Sequence, residues 1–194
     1  MGREFELKYA ATAEAQAAIR AAYGPWREIR METTYFDTPD GALSAHRMTL
    51  RLRKENDATV CTLKTPLPDG SRGEWECLTT DIGDGIRALM AMGAPKRLAG
   101  LTVNDVIPRC GARFTRHSCT IDLGDALVEL ALDQGVLLGG NREIPLCEVE
   151  AELKAGSRKA VVQFAAALAA RFGMQPEPHS KFRRASALAE GESL

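Results

Sequence analysis

The sequence predicts a mainly β, α+β domain whose antiparallel strands turn charged faces toward a common interior. Three observations carry this expectation. Segments of strict period-two alternation recur along the 194 residues. Short connections rich in turn residues join them, which favours antiparallel pairing. No regular strand–helix–strand alternation appears, so a doubly wound sheet is not expected. The length suits one compact domain, and 45% apolar residues suffice for a core behind the charged faces.

The elements follow in order. Arg3 to Tyr9 reads as one strand, with Phe5, Leu7 and Tyr9 alternating with Glu4, Glu6 and Lys8. Ala11 to Ala22 is alanine-rich and predicts a helix ended by Gly24-Pro25. Ile29 to Asp37 predicts a strand, stopped by the turn signal Asp37-Thr38-Pro39-Asp40-Gly41, and Leu43 to His46 a short helical turn. Met48 to Lys54 and Thr59 to Thr65 predict a hairpin about Glu55-Asn56-Asp57, and Pro66 to Gly70 turns the chain again. Ser71 to Thr79 places Arg72, Glu74 and Glu76 on one face and Trp75 and Cys77 on the other. Asp84 to Met92 has a helical pattern, with Asp81 or Asp84 near its start.

In the second half, Leu101 to Val106 reads as a strand or an irregular approach. Arg113 to Thr115, His117 to Leu123 and Ala126 to Leu132 predict successive strands, with turns at Gly124-Asp125 and Gly139-Gly140-Asn141. Ile144 to Leu153 is a long strand. Arg158 to Phe172 is a helix with Ser157 as N-cap and Gly173 as terminator. An SKFRRA segment and an alanine-rich tail close the chain.

Composition narrows the function classes. A formal charge of -1 lacks the basic excess of a general nucleic-acid binder. Five scattered cysteines, an odd number with no close pair, read as reduced structural thiols rather than a disulfide scaffold. The three histidines are far apart and suggest no zinc site. No apolar run is long enough to span a bilayer and no signal peptide opens the chain, so a cytoplasmic protein with no membrane or nucleic-acid partner is expected.

The placement of charge is more informative than its sum. Alternation groups Glu4, Glu6 and Lys8; Arg51 and Arg53; Thr62 and Lys64; Arg72, Glu74 and Glu76; and Glu148, Glu150 and Glu152. A single such face would simply meet water. Here the opposite faces are strongly apolar, and a closed barrel would turn all the charged faces into one polar interior. Arginine and lysine there would bind a polyphosphate, arginine bidentately. Carboxylates facing that anion make sense if they hold a hard divalent cation.

These residues resemble the CYTH domain family, the triphosphate tunnel metalloenzymes. The resemblance rests on the Glu4-x-Glu6-x-Lys8 opening, Tyr35-Phe36-Asp37-Thr38, Leu50 to Arg53, Thr62 to Lys64 and Arg72-x-Glu74-x-Glu76. Later matches are Arg113-Phe114-x-Arg116, Glu129 to Asp133, Glu148-x-Glu150-x-Glu152 and Ser180-Lys181-x-x-Arg184. It implies a closed eight-stranded antiparallel tunnel with flanking helices over residues 1–185, followed by a tail over 186–194. It implies Mg2+ or Mn2+ at Glu4, Glu6 and one or more of Glu148, Glu150 and Glu152. Phosphate contacts would come from Lys8, Arg51, Arg53, Lys64, Arg72, Arg113 or Arg116, Lys181, and Arg183 or Arg184. Glu74 and Glu76 would place a second metal or the water.

The bacterial inorganic triphosphatases are the most similar members, through Leu130 to Gly135 and Cys147 to Gly156. The implied reaction is hydrolysis of inorganic triphosphate to pyrophosphate and phosphate. Adenylate cyclases and thiamine triphosphatases of the same fold, and a non-catalytic polyphosphate- or nucleotide-binding module, are the alternatives. The resemblance leaves room for a homodimer. Many members continue into a helical, histidine-rich CHAD domain, which these 194 residues do not contain.

Overall fold

A computed structural model describes residues 2–68, 71–100 and 106–192. The segment expected over Leu101 to Val106 lies outside the described residues except for Val106, as does part of the turn expected over Pro66 to Gly70. The strands are β1 (Gly2–Glu4), β2 (Glu6–Ala10), β3 (Arg27–Asp37), β4 (Thr49–Glu55), β5 (Ala58–Pro66), β6 (Arg72–Leu78), β7 (Ile107–Asp122), β8 (Ala126–Gly139), β9 (Arg142–Gly156) and β10 (Gln175–Pro176). The helices are α1 (Ala13–Ala22), α2 (Ala42–Ala45), α3 (Ile82–Ala91), α4 (Lys96–Ala99), α5 (Arg158–Phe172) and α6 (Lys181–Glu190).

The closed eight-stranded barrel implied by the resemblance is not what forms. The strands make one open ten-stranded sheet in the order β1-β6-β5-β4-β3-β7-β8-β9-β2-β10. The segment expected as a single N-terminal strand divides at Phe5: β1 pairs with β6, and β2 pairs with β9. Closure needs an unbroken ring of ladders. Here the two flanks share a covalent chain at Phe5 but no ladder joins β1 to β2. All the described ladders are antiparallel.

The sheet is amphipathic because its residues alternate. Leu50, Leu63 and Trp75 on β4–β6 pack beneath α3 and α4 with Leu89 and Leu98. Val128, Leu130 and Val149 on β8 and β9 pack beneath α1 and α5 with Ile19, Val161 and Leu168. Side-chain caps start the helices: Thr12 accepts from Ala15 N at 3.1 Å, Ser157 from Ala160 N at 3.3 Å and Ser180 from Arg183 N at 3.1 Å. Gly173 ends α5 at φ 67°, a left-handed conformation that favours glycine. The buried Asp37 carboxylate ties the turn after β3 by accepting from Thr38 N, Leu43 N and Ser44 N at 2.8, 2.8 and 3.0 Å.

Two differences from the expected elements position the site. The two short strands expected around Arg116 are one strand, β7, because Arg116 continues the face of Ala112 and Phe114 instead of interrupting it. The end of the chain forms α6, whose Ala185 packs on the concave side against Ile29, Met31, Phe114, Leu137 and Leu146. At Gly139 the helix backbone comes so close that an added Cβ would lie 2.5 Å from Ala189 N and 2.6 Å from Ala185 O.

Candidate functional site

The charged faces meet in a trough of about 230 Å³ on the concave side of the sheet. Its walls include Glu4, Glu6, Lys8, Arg51, Arg53, Lys64, Arg72, Glu74, Glu76, Arg116, Glu150, Glu152 and Lys181, thirteen of the seventeen residues singled out from sequence. The other four lie elsewhere. Arg113 falls on the opposite parity of β7 from Arg116 and pairs at the surface with Glu143 at 3.3 Å. Arg183 points away from the trough to Glu192 at 3.2 Å. Glu148 is fully buried behind the wall, and Arg184 reaches inward to it and to Glu177. The phase of α6 therefore selects Arg184 as the inward arginine.

Ion pairs divide the trough into two regions. Toward β1 and β6, Lys64 Nζ lies 2.5 Å from Glu4 Oε1 and 3.2 Å from Glu74 Oε1. Lys8 pairs with Glu6 at 3.0 Å, and Arg53 Nε with Glu55 at 2.6 Å. Thr62 Oγ1 donates to Glu76 at 2.9 Å. Toward α6, Arg116 grips Asp133 with two 2.7 Å hydrogen bonds and reaches Glu150 at 2.5 Å. Lys181 Nζ lies 2.7 Å from Asp133 and 2.8 Å from Glu150, and also bonds Glu148.

The titration behaviour follows this geometry. Burial would push Glu150 up, but Lys181 and Arg116 together hold it well below the usual carboxylate range. Glu148 is raised, chiefly by burial and with Glu150 beside it, against the pull of Lys181 and Arg184. Glu152 is raised by burial and by Glu4 and Glu129 nearby, although Lys154 opposes the shift. Burial alone would lower Lys181, yet Asp133, Glu150 and Glu148 carry it above the ordinary lysine value. A buried Cys61 thiol is pushed up to about 12, chiefly by burial, so it is a packing group and not a nucleophile.

Arg51 stands apart from these pairs. Its Nε is enclosed and has no hydrogen-bond partner. No ion pair to Arg51 occurs among the described residues; the carboxylates Glu74, Glu76 and Glu4 act on it only through their charges. Arg72 is similar, since its guanidinium donates to Thr49 Oγ1 at 3.2 Å and pairs with no described carboxylate.

Asp133 was not among the residues singled out, and the structure makes it central. With Glu148 and Glu150 it brings one carboxylate oxygen from each residue within 4.8 Å of the others, a spacing that can hold a divalent cation. Lys181, Arg116 and Arg184 supply the compensating charge. The signal for Asp133 is parity, because it shares a face of β8 with Glu129 and sits opposite Glu148. Gln16 carried no signal within its alanine-rich helix. Its side-chain amide donates from outside the sheet to the carbonyls of Asp133 and Glu148 at 3.0 and 2.9 Å. Among the described residues, no helix is long and apolar enough to cross a membrane.

The CYTH domain profile matches residues 2–186. The chain belongs to the CYTH domain family. An inorganic triphosphatase of Haemophilus influenzae is 28% identical to this CYTH domain over 143 residues, which are 71% of this chain and 40% of that protein. The chain thus spans well under half of that curated relative. Among solved structures, an adenylyl cyclase candidate from Hippeastrum described as having a dominant triphosphatase activity superposes with a TM-score of 0.67 at 18% identity, covering 100% of this chain and 98% of that one. A Pyrococcus horikoshii protein gives 0.64 at 21% identity, covering 92% and 96%. An adenylate cyclase candidate from Bacillus halodurans gives 0.63 at 19%, covering 95% and 98%. At these identities the structural likeness speaks for the CYTH fold alone.

Proposed function

We propose that this CYTH domain hydrolyses inorganic triphosphate to pyrophosphate and phosphate with the help of Mg2+ or Mn2+. The observation that carries the reading is Arg51, a half-buried side chain in the trough wall whose enclosed Nε has no hydrogen-bond partner and which pairs with no carboxylate among the described residues. A buried, unpaired charge is costly, and a phosphate oxygen offsets that cost with a charge-assisted hydrogen bond. Arg72, in the same cavity, is likewise free of a carboxylate partner among the described residues. The relationship to a bacterial inorganic triphosphatase supports the same substrate.

Inorganic triphosphate also suits the size and lining of the site. A volume of about 230 Å³ is smaller than the roughly 300–1,000 Å³ usual for organic ligands. The aromatic side chains that a base or thiazole ring would need are already engaged. Tyr35 packs on Phe182 at 5.2 Å between ring centroids, and Trp75 lies in the core under α3.

The donor chemistry fits a hard cation at a row of acids crossing three strands, Glu6 opposite Glu152 and Glu152 opposite Glu129, with Glu4 beside it in the trough wall. Like charges directly opposite one another destabilise a sheet unless a cation offsets them. When bound, the cation supplies charge neutralisation and polarises a phosphoryl oxygen. Lys8, Arg51, Arg53, Lys64, Arg72 and Arg116 hold the phosphates in line, with Lys181 at the α6 end. Glu76, already fixed by Thr62, and Glu74 orient the attacking water. Glu150 and Glu148 hold Lys181 and Arg184 in place.

The test is to incubate the protein with tripolyphosphate, ATP and thiamine triphosphate in parallel, with Mg2+ or Mn2+, and to identify every product. Phosphate and pyrophosphate from tripolyphosphate, with little turnover of the other two, is the expected result. Cyclic AMP and pyrophosphate from ATP would replace the reading with a cyclase. Binding of tripolyphosphate without product would make the domain a binding module.

A further inference from the structure

The buried residues of α1 are Gln16 and Ile19, three positions apart and so on one face of the helix. Ile19 packs into the core behind β8 and β9, and Gln16, 5% exposed, brings an amide to the same side. An unbonded amide in an apolar core is costly, and a methionine of similar length would fill the space without that cost. The amide is fully used. Its Nε2 donates to Asp133 O at 3.0 Å and to Glu148 O at 2.9 Å. We infer that Gln16 is a positioning residue for the phosphate site: from behind the sheet it clasps the rung whose other face carries the carboxylates that hold Lys181, Arg116 and Arg184. The inference rests on the triphosphate reading of the trough.

The clasped residues are direct partners across β8 and β9. Ala11 N donates to Cys147 O, and ladder bonds alternate along a strand. Glu148 therefore turns its own N–H and C=O toward β8 and exchanges both bonds with Asp133. Each carbonyl oxygen has a second lone pair, and Gln16 fills one on each strand. On the other face the two side chains are fully buried carboxylates. Like charges directly opposite one another destabilise a ladder. Lys181 offsets them by bonding both, with Arg116 on Asp133 and Arg184 on Glu148.

A phosphate draws on that same compensation. Lys181 and Arg116 line the trough. As their charge turns toward a bound anion, Asp133 and Glu148 repel each other more strongly and the rung tends to splay. A splayed rung moves the carboxylates that aim Lys181 and Arg116. Gln16 resists that movement without touching substrate, since it lies outside the trough lining and reaches the rung from the opposite side. Its contribution is larger with the anion bound than without, so it belongs to affinity more than to stability.

The experiment compares the wild type with Gln16→Met and Gln16→Leu, each alone and combined with Glu148→Gln. Urea melts give stability, and calorimetry without added metal gives tripolyphosphate affinity. Two apolar replacements are used so that a packing fault peculiar to one of them does not decide the result. Affinity is expected to fall on the order of three- to tenfold in both Gln16 variants, the scale of one lost hydrogen bond. The urea midpoint should change little, because an apolar side chain fills the core and both carbonyls keep their ladder bonds. With Glu148→Gln the rung carries one charge fewer, and removing Gln16 should then weaken binding by less than about twofold, the mark of coupled residues. A lower midpoint with unchanged affinity would overturn the inference and make Gln16 a packing clasp, leaving the triphosphate reading in place. An equal loss of affinity with and without Glu148→Gln would also overturn it, by placing the effect away from the rung. Failure of the wild type to bind tripolyphosphate at all would remove the triphosphate reading, and this inference with it.

Discussion

Lys181 and Asp133 form a 2.7 Å ion pair that joins α6 to β8, with the Asp133 side chain fully buried. The same ammonium bonds Glu148 and Glu150, so one cation from the last helix is shared by three carboxylates from two strands. Removing it would leave buried negative charges with too few partners, a change that typically costs about 3–5 kcal/mol. Lys181→Met is therefore expected to destabilise the domain by about that amount, measured as a lower urea midpoint with an unchanged slope. The raised pKa of Lys181 means this contribution is present throughout the range below the ordinary lysine value and is lost only in stronger alkali. An unchanged midpoint would show that the network does not anchor α6.

Arg51 should behave in the opposite way. Its Nε has no hydrogen-bond partner, so the folded protein bears the cost of an incompletely satisfied cation. Arg51→Met is expected to leave stability unchanged or raised, while weakening tripolyphosphate binding about ten- to a hundredfold, the value of a lost charge-assisted hydrogen bond. Thermal melts and calorimetry on the same preparation check both halves. A variant that lost stability and kept its affinity would show that Arg51 is structural.

Glu6, at the β2 end of the acidic row, faces Glu152 across β2 and β9. Glu6→Gln keeps the shape and removes one negative charge from the proposed cation site. Metal-dependent turnover is expected to fall by at least about 100-fold, with the fold retained by circular dichroism, because several kcal/mol of transition-state charge stabilisation depend on the cation. Full activity at saturating Mn2+ and at low Mn2+ alike would take Glu6 out of the metal set.

Parity along the strands made most of the trough legible in the sequence. Once Glu4 and Glu6, Arg51 and Arg53, and Glu74 and Glu76 are each placed on one face, a curved sheet brings them together whether or not its ladders close. What remained hidden depends on contacts that alternation does not encode. Asp133 directly follows the apolar run Leu130 to Leu132 at the end of a family-matching stretch, and its pairing opposite Glu148 is what gives it a place in the site. Arg113 and Arg116 look equivalent as members of one basic cluster, yet an odd spacing places them on opposite faces of β7. The closed tunnel implied by the resemblance gives way at Phe5: the alternation of residues 3–9 runs through it unbroken, while the partners change there from β6 to β9.

Glu152 offers a test in pH. Its pKa is raised, chiefly by burial and with Glu4 and Glu129 contributing, so the folded metal-free protein binds its proton more readily than the unfolded chain does. Ionised Glu152 therefore costs stability in full above its raised folded value, and the cost shrinks as pH falls through that value and is gone below the unfolded carboxylate value of about 4.3. Glu152→Gln should melt at a higher temperature than the wild type at neutral pH without metal, and the two curves should converge in mild acid. Glu150 has the opposite sign: its depressed pKa contributes stability that is lost only as pH falls below the ordinary carboxylate range. A Glu152→Gln difference that grew on acidification would contradict the like-charge reading of the row.

Gly139 connects packing to the site through α6. An added Cβ there would meet Ala189 N at 2.5 Å, Ala185 O at 2.6 Å and Leu188 Cβ at 2.8 Å, and two of these are backbone atoms that cannot rotate away. Gly139→Ala must therefore lift the helix, at a cost of about 1–3 kcal/mol typical of overpacking. The same helix carries Lys181 and Arg184, so the displacement should also pull their charges from Asp133, Glu148 and Glu150. The expected result is a combined loss, with a lower melting temperature and weaker tripolyphosphate binding, although Gly139 lies outside the trough lining. Restoring space from the helix side gives no relief, because the obstructing atoms are main-chain N and O. Gly139→Ala with wild-type affinity and only a stability loss would show that Lys181 and Arg184 hold their positions independently of how α6 packs on β8.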